Sequence, residues 1–162
     1  VATTTSAANV ALVKSLGADV VVDYKTQDFE DVLRDYDVVL NSQDGKTLEK
    51  SLGVLKPGGH LISISGPPDP AFAKKLGMNA FFKFVMRMLS RGIWSKAKSL
   101  GIEYSFLFMQ ADGGQLSQLA TLIETGKISP VVDRVFPFSQ TNEALAYVDS
   151  GRAKGKVVIT VS

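Results

Sequence analysis

Short, unbroken apolar runs alternate along this chain with segments whose apolar positions recur every three or four residues. Val1-Ala2 runs into Thr3-Thr4-Thr5-Ser6 as the end of one strand. Ser6 then reads as the N-cap of a helix with Val10, Val13 and Leu16 on one face and Gly17 as its stop. Val20-Val21-Val22 is a β-branched run, as expected of a strand covered on both faces. Thr26 is the expected cap of the next helix, with Phe29, Val32, Leu33 and Tyr36 at helical spacing. Residues 37–41 give a third strand. A helix over 45–55 carries Leu48, Leu52 and Leu55 and is ended by Pro57-Gly58-Gly59, and 60–65 forms a fourth strand, stopped by Gly66-Pro67-Pro68.

Residues 70–100 are helical in propensity, with Phe72, Leu76, Phe81, Phe82, Val85, Met86 and Leu89 forming an apolar stripe. An aromatic-rich strand is expected over 102–109, followed by an amphipathic helix over 113–125 that bears Leu116, Leu119, Ala120 and Ile123. Thr141 is the expected cap of a last helix reaching Gly151, and 156–161 the final strand. Apolar strands alternating with helices of about ten residues predict an α/β fold with a doubly wound parallel sheet. Ligands of such sheets sit at the carboxyl ends of the strands, here residues 4–6, 23–24, 41–43, 65–67 and 108–109.

A length of 162 residues with 45% hydrophobic content fits one domain, 1–162, with a basic helical insertion at about 70–101. The net charge of +2 argues against nucleic acid as a partner. Without cysteine there are no disulfides or thiolate metal sites, and the single histidine, His60, cannot assemble an imidazole cluster, so no metal is expected. No apolar stretch reaches the roughly 18 residues of a membrane span, and no charged, signal-like leader opens the chain, which points to the cytoplasm. The chain opens on Val1 inside an apolar segment, so a truncated start is expected.

Leu16-Gly17-Ala18-Asp19-Val20-Val21-Val22-Asp23-Tyr24 resembles a signature of the medium-chain dehydrogenase/reductase superfamily. So do Leu55-Lys56-Pro57-Gly58-Gly59, Gly126-Lys127-Ile128-Ser129-Pro130-Val131-Val132 and Val135-Phe136-Pro137-Phe138-Ser139. Glu143-Ala144 and Gly151-Arg152-Ala153-Lys154-Gly155-Lys156-Val157-Val158 complete the series in order. The match is closest to the zinc-independent NADPH:quinone reductase-like branch. It implies a Rossmann-type sheet lacking its first strand and the glycine-rich turn that cradles the pyrophosphate, since no G-x-G-x-x-G occurs here. In the strand order 3-2-1-4-5-6 that first strand is central, so its two neighbours would carry unpaired main-chain groups. A β-rich, N-terminal catalytic domain of the same polypeptide would precede Val1.

The resemblance also suggests a cofactor site. NAD-specific members place an acid at the position of Thr4, which is followed here by Thr5 and Ser6. A loop of hydroxyls accepts a 2′-phosphate without repulsion, which favours NADP. The plainer alternative is that these hydroxyls only cap a helix. Tyr24 stands where the family has a tyrosine near the 2′-phosphate, whereas Ala7-Ala8-Asn9 replaces the cation of many relatives. The positive partner is then expected from Lys25 or from Arg152, Lys154 and Lys156. Asn41, Ser65 and Gly66 would meet the nicotinamide and its ribose, and the backbone around Phe108 the carboxamide, unless the 102–109 strand instead packs in a dimer. His60 lies at the opposite strand end and reads as structural.

The implied activity is hydride transfer from NADP(H) to a small-molecule quinone, enone or carbonyl. The acid and oxyanion donors would lie outside this sequence, so no catalytic residue is named and the fragment alone is expected to be inactive. Two alternatives remain, the cofactor domain of an NAD-linked zinc alcohol dehydrogenase and a non-catalytic interaction domain keeping the fold. Within 70–101, Lys74, Lys75, Lys83, Arg87, Arg91, Lys96 and Lys98 occur without any acidic residue. This segment is expected to be a lid whose apolar face covers the substrate cleft or the other domain, in preference to a membrane-contacting helix. A homo-oligomer, joined through the 102–109 edge, completes the expectation.

Overall fold

The computed structural model describes residues 1–68, 72, 74, 77 and 79–161. Lys75 and Leu76 of the expected 70–100 helix lie outside the described residues. The chain divides into two compact units, Val1–Met109 and Gln110–Ser162.

In the first unit β1 (Ala2–Thr5) runs parallel to β2 (Val20–Asp23), with Thr5 opposite Asp23. A 3-10 turn over Ala7–Asn9 and α1 (Val10–Ser15) make the crossover. Gly17 then reverses the chain at φ +99°, a conformation that costs glycine little. The run at 20–22 is covered more on one side than expected: Val22 is 1% exposed and Val20 39%. The next helix departs from expectation. Thr26 spends its hydroxyl on the carbonyl of Asp23, and Asp28 precedes a single turn, α2 (Phe29–Val32). Asp35 adopts the left-handed backbone at φ 62°, and Tyr36 opens β3 (Tyr36–Asn41) instead of extending a helix. The β-favouring run that follows draws Tyr36 into the sheet.

Asp44 accepts a hydrogen bond from the Thr47 amide at 2.8 Å and so starts α3 (Gly45–Ser51). That amide also holds the Asp44 carboxyl below the ordinary carboxylate range. Leu52–Val54 tightens into a 3-10 turn, and Leu55 begins β4 (Leu55–Ser63) rather than ending the helix. Asn79 caps α4 (Ala80–Ser99) through the Phe82 amide, after which comes β5 (Glu103–Phe106), shorter at both ends than expected. The strands β3-β4-β5 form one parallel sheet.

Leu48, Leu52, Leu61, Ile93, Ala97, Ile102 and Tyr104 fill the core between this sheet and its helices. A second cluster of Val22, Leu33 and Val54 collects Ala2, Phe29, Tyr36 and Val39, so the β1-β2 pair and the three-stranded sheet share a core. Yet among the described residues no ladder joins β1 to β3. The sheet is interrupted where the order 3-2-1-4-5-6 has its central strand. Every strand pairing among the described residues is parallel, which is the expected α/β, Rossmann-type architecture.

The second unit holds α5 (Gly113–Glu124) and the parallel pair β6 (Val132–Pro137) and β7 (Lys156–Thr160), connected by α6 (Thr141–Asp149). Strand β6 is not evident from its periodicity. Thr141 is the first residue of α6 and not its cap, its hydroxyl donating to the Phe138 carbonyl at 2.6 Å.

Candidate functional site

Parallel strands carry their ligand-facing groups at the carboxyl ends, and three such ends converge on one residue here. Ser63, the last residue of β4, is 0% exposed. Its hydroxyl donates to Asn41 Oδ1 at 3.4 Å and accepts from the Gly66 amide at 2.8 Å and the Ser65 amide at 3.4 Å. Its carbonyl accepts from Leu107 N at 2.8 Å, which brings in the end of β5. Asn41, 3% exposed at the end of β3, also accepts from Ser65 Oγ at 3.3 Å, and Ser65 Oγ donates to the Gln43 carbonyl. The Asn41, Ser65 and Gly66 singled out in the sequence therefore share one polar network. Gly66 is hemmed in. A Cβ there would come within 2.8 Å of both Leu48 Cδ2 and Ser63 Oγ, and 2.9 Å of the Tyr104 hydroxyl. Tyr104 in turn donates to the Pro67 carbonyl at 2.7 Å. Phe108 lies just past β5, 60% exposed, its ring 5.6 Å from that of Phe72 and 6.3 Å from that of Phe106.

At the ends of β1 and β2, Thr4, Thr5, Ser6 and Tyr24 are brought together. The Tyr24 amide donates to the Thr5 carbonyl at 3.3 Å, and the Tyr24 ring is 61% exposed. Sequence reasoning missed the centre of this group. The Asp23 carboxylate accepts from the Ala7 amide at 3.1 Å and the Lys25 amide at 3.0 Å, so it fastens the loop after β1 to the end of β2. A negative charge thus stands beside hydroxyls read from the sequence as free of one. The available signal was its position, the last residue of a β-branched run, where an isolated carboxylate has backbone amides within reach.

Arg152 and Lys156 lie in the second unit. Lys156 opens β7, its amide donating to the Val131 carbonyl at 2.7 Å. Arg152 lines an open depression of about 640 Å³ together with Arg134, Phe136, Glu143, Tyr147 and Ser150. Arg134 stacks over the Tyr147 ring at 4.1 Å, and the Tyr147 hydroxyl donates to Asp133 Oδ2 at 2.7 Å. That bond holds the Asp133 carboxyl below its ordinary range and raises the Tyr147 hydroxyl above its own.

Among the described residues nothing fits a zinc site. The chain has no cysteine, and its one histidine, His60, meets Ser105 Oγ at 2.9 Å and Glu103 Oε2 at 3.7 Å. No group of three metal-ligating side chains occurs among the described residues. Nor is any helix among them long and apolar enough to cross a membrane.

The family described as zinc-binding dehydrogenase matches residues 16–159. A mitochondrial NAD(P)H oxidoreductase of Bos taurus is 35% identical over 160 residues, the match covering 93% of this chain and 39% of that protein. A chloroplastic NADPH-dependent alkenal/one oxidoreductase of Arabidopsis thaliana is 32% identical over 161 residues, covering 98% and 33%. Among solved structures, the quinone oxidoreductase from Coxiella burnetii superposes with a TM-score of 0.72 at 23% identity, over 99% of this chain and 44% of that one. The chain therefore spans less than half the length of these relatives.

Proposed function

Since this chain belongs to the zinc-binding dehydrogenase family, in the zinc-independent, quinone-reductase-like branch of the medium-chain dehydrogenase/reductase superfamily, we propose that it forms the NADP(H)-binding part of a reductase acting on a quinone, enone or carbonyl. The observation that carries this reading is the network of Asn41, Ser63, Ser65 and Gly66 at adjoining strand ends. When bound, the nicotinamide supplies the hydride. The buried Ser63 hydroxyl fixes the Asn41 amide and the Gly66 backbone before any ligand arrives, so little ordering is left to be done on binding. Ser65, exposed beside them, offers a hydroxyl to a ribose. Thr4, Thr5, Ser6 and Tyr24 fit the adenosine end, and Phe108, Arg152 and Lys156 remain in the proposed set. Acid and oxyanion donors are assigned to the part of the polypeptide that the relatives have beyond this chain. The outer edge of β5 supports a homodimer, which light scattering on the full-length protein checks. Cell fractionation tests the cytoplasmic reading, since both named relatives are organellar.

One observation favours NAD instead, the Asp23 carboxylate at the β1-β2 ends. Fluorescence titration of the full-length protein with NADPH and NADH separates the readings. Preference for NADPH supports the proposal, preference for NADH supports a dehydrogenase, and absence of binding supports a scaffold. If a 2′-phosphate sits beside Asp23, Asp23→Asn should tighten NADPH by roughly fivefold, the effect of about 1 kcal/mol of relieved repulsion in high dielectric.

A further inference from the structure

The dinucleotide reading leaves helix α4 without a role. Its Ser90, Ile93 and Ala97 are buried, whereas Phe81, Phe84, Met88 and Leu89 are 68%, 59%, 61% and 63% exposed. Phe81, Phe84 and Met88, with the half-buried Val85 at their edge, follow the i, i+3, i+4, i+7 spacing, so they make one stripe whose exposed members turn away from the buried side. Lys83, Arg87, Arg91 and Lys98 recur along the flank of that stripe. The helix has no acidic residue, and of its five cations only Lys96 meets a carboxylate among the described residues, Glu49 at 3.5 Å.

We propose that α4 docks this protein onto an anionic membrane surface, its aromatic stripe sunk to the headgroup–acyl boundary and its cations against lipid phosphates. A partner for this face must accept both the apolar stripe and, along its flank, four cations that meet no carboxylate among the described residues. A lid over a substrate cleft would bury the apolar stripe and leave the row of charge at its rim. An anionic bilayer matches both, presenting an apolar layer beneath a sheet of negative charge. The helix lies on the surface instead of crossing it, in keeping with its cations and with the absence of a membrane-spanning helix among the described residues. The inference is independent of the hydride-transfer reading, because its readout is binding and not turnover.

The test is co-sedimentation of the full-length protein with vesicles of phosphatidylcholine alone and of phosphatidylcholine with phosphatidylglycerol at about 2:1. Binding is expected to the mixed vesicles only, and should be lost in about 1 M salt, where the screening length falls to about 3 Å. Arg87→Gln with Arg91→Gln should weaken it roughly 25-fold, about fivefold per cation. Phe84→Ser with Met88→Ser should weaken binding while keeping its salt dependence, with circular dichroism confirming that each variant is folded. Equal binding to both vesicle types, or none by the folded parent, overturns the proposal. So does a dimer that the Phe84→Ser, Met88→Ser variant splits into monomers, since a second copy would then occupy the stripe.

Discussion

Alanine at Gly66 would place a Cβ inside the strand-end network. That atom would lie 2.8 Å from Leu48 Cδ2, 2.8 Å from Ser63 Oγ and 2.9 Å from the Tyr104 hydroxyl. None of the three can yield freely. Leu48 and Ser63 are 2% and 0% exposed, and the Tyr104 hydroxyl is committed to the Pro67 carbonyl at 2.7 Å. Forcing a methyl into a close-packed site costs about 1–3 kcal/mol. Losing the tyrosine bond adds about 1 kcal/mol. The sum, about 2–4 kcal/mol, should lower the urea midpoint by roughly 1–2 M at an ordinary denaturant slope. Circular dichroism in urea measures it. Gly53→Ala is the control, because no atom beyond its chain neighbours and its own helix backbone lies within 4 Å of the Cβ it would add. It should be neutral or stabilise by up to about 1 kcal/mol. Should Gly66→Ala unfold at the same midpoint as Gly53→Ala, the account of a rigid strand-end site is wrong.

Three further outcomes are expected. Leu61→Ala, at a 0% exposed core position, should cost about 2–5 kcal/mol in the same urea assay. Gly155→Ala would set a Cβ 2.4 Å from the Val131 carbonyl oxygen and so pry Lys156 N from that carbonyl, and amide exchange of β7 should accelerate while β4 is unaffected. Tyr147→Phe removes the bond that depresses the Asp133 carboxyl and raises the Tyr147 hydroxyl. A depressed acid stabilises above its unfolded pKa of about 4 and loses that effect as pH falls through the folded value. A raised tyrosine stabilises below its unfolded pKa of about 10 and loses the effect as pH rises. Thermal melts should therefore find the variant weaker than the parent between roughly pH 4 and 10, the two converging outside that window.

Much of the fold is legible because single residues act alone: Gly17 stops α1, and the Val20-Val21-Val22 run makes β2 whatever surrounds it. Legibility fails where two residues of the same kind compete. Thr26 and Asp28 are both residue types that favour caps, yet Thr26 spends its hydroxyl on the Asp23 carbonyl, and Asp28 takes the N-cap position without a side-chain cap bond, its carboxylate paired with Lys50. Strand β6 hides because Asp133, Arg134 and Pro137 break its apolar pattern, and it exists through its ladder with β7. At the site, Asn41, Ser65 and Gly66 stand out as polar or turn residues following apolar strands. Ser63 does not. In His60-Leu61-Ile62-Ser63-Ile64-Ser65 it reads as one more alternating position, and only its two-residue spacing from buried Leu61 hints that it points inward.

Ser63 also acts as a mechanical junction. Through Asn41, Gly66 and Leu107 it holds β3, the turn after β4 and the end of β5 by one side chain and one carbonyl. A molecule that tugs any one of these ends must drag the other two, so the three respond to occupancy as a single jaw. Amide protons of Gly66 and Leu107, more than 40 residues apart in the chain, should then change their protection in step.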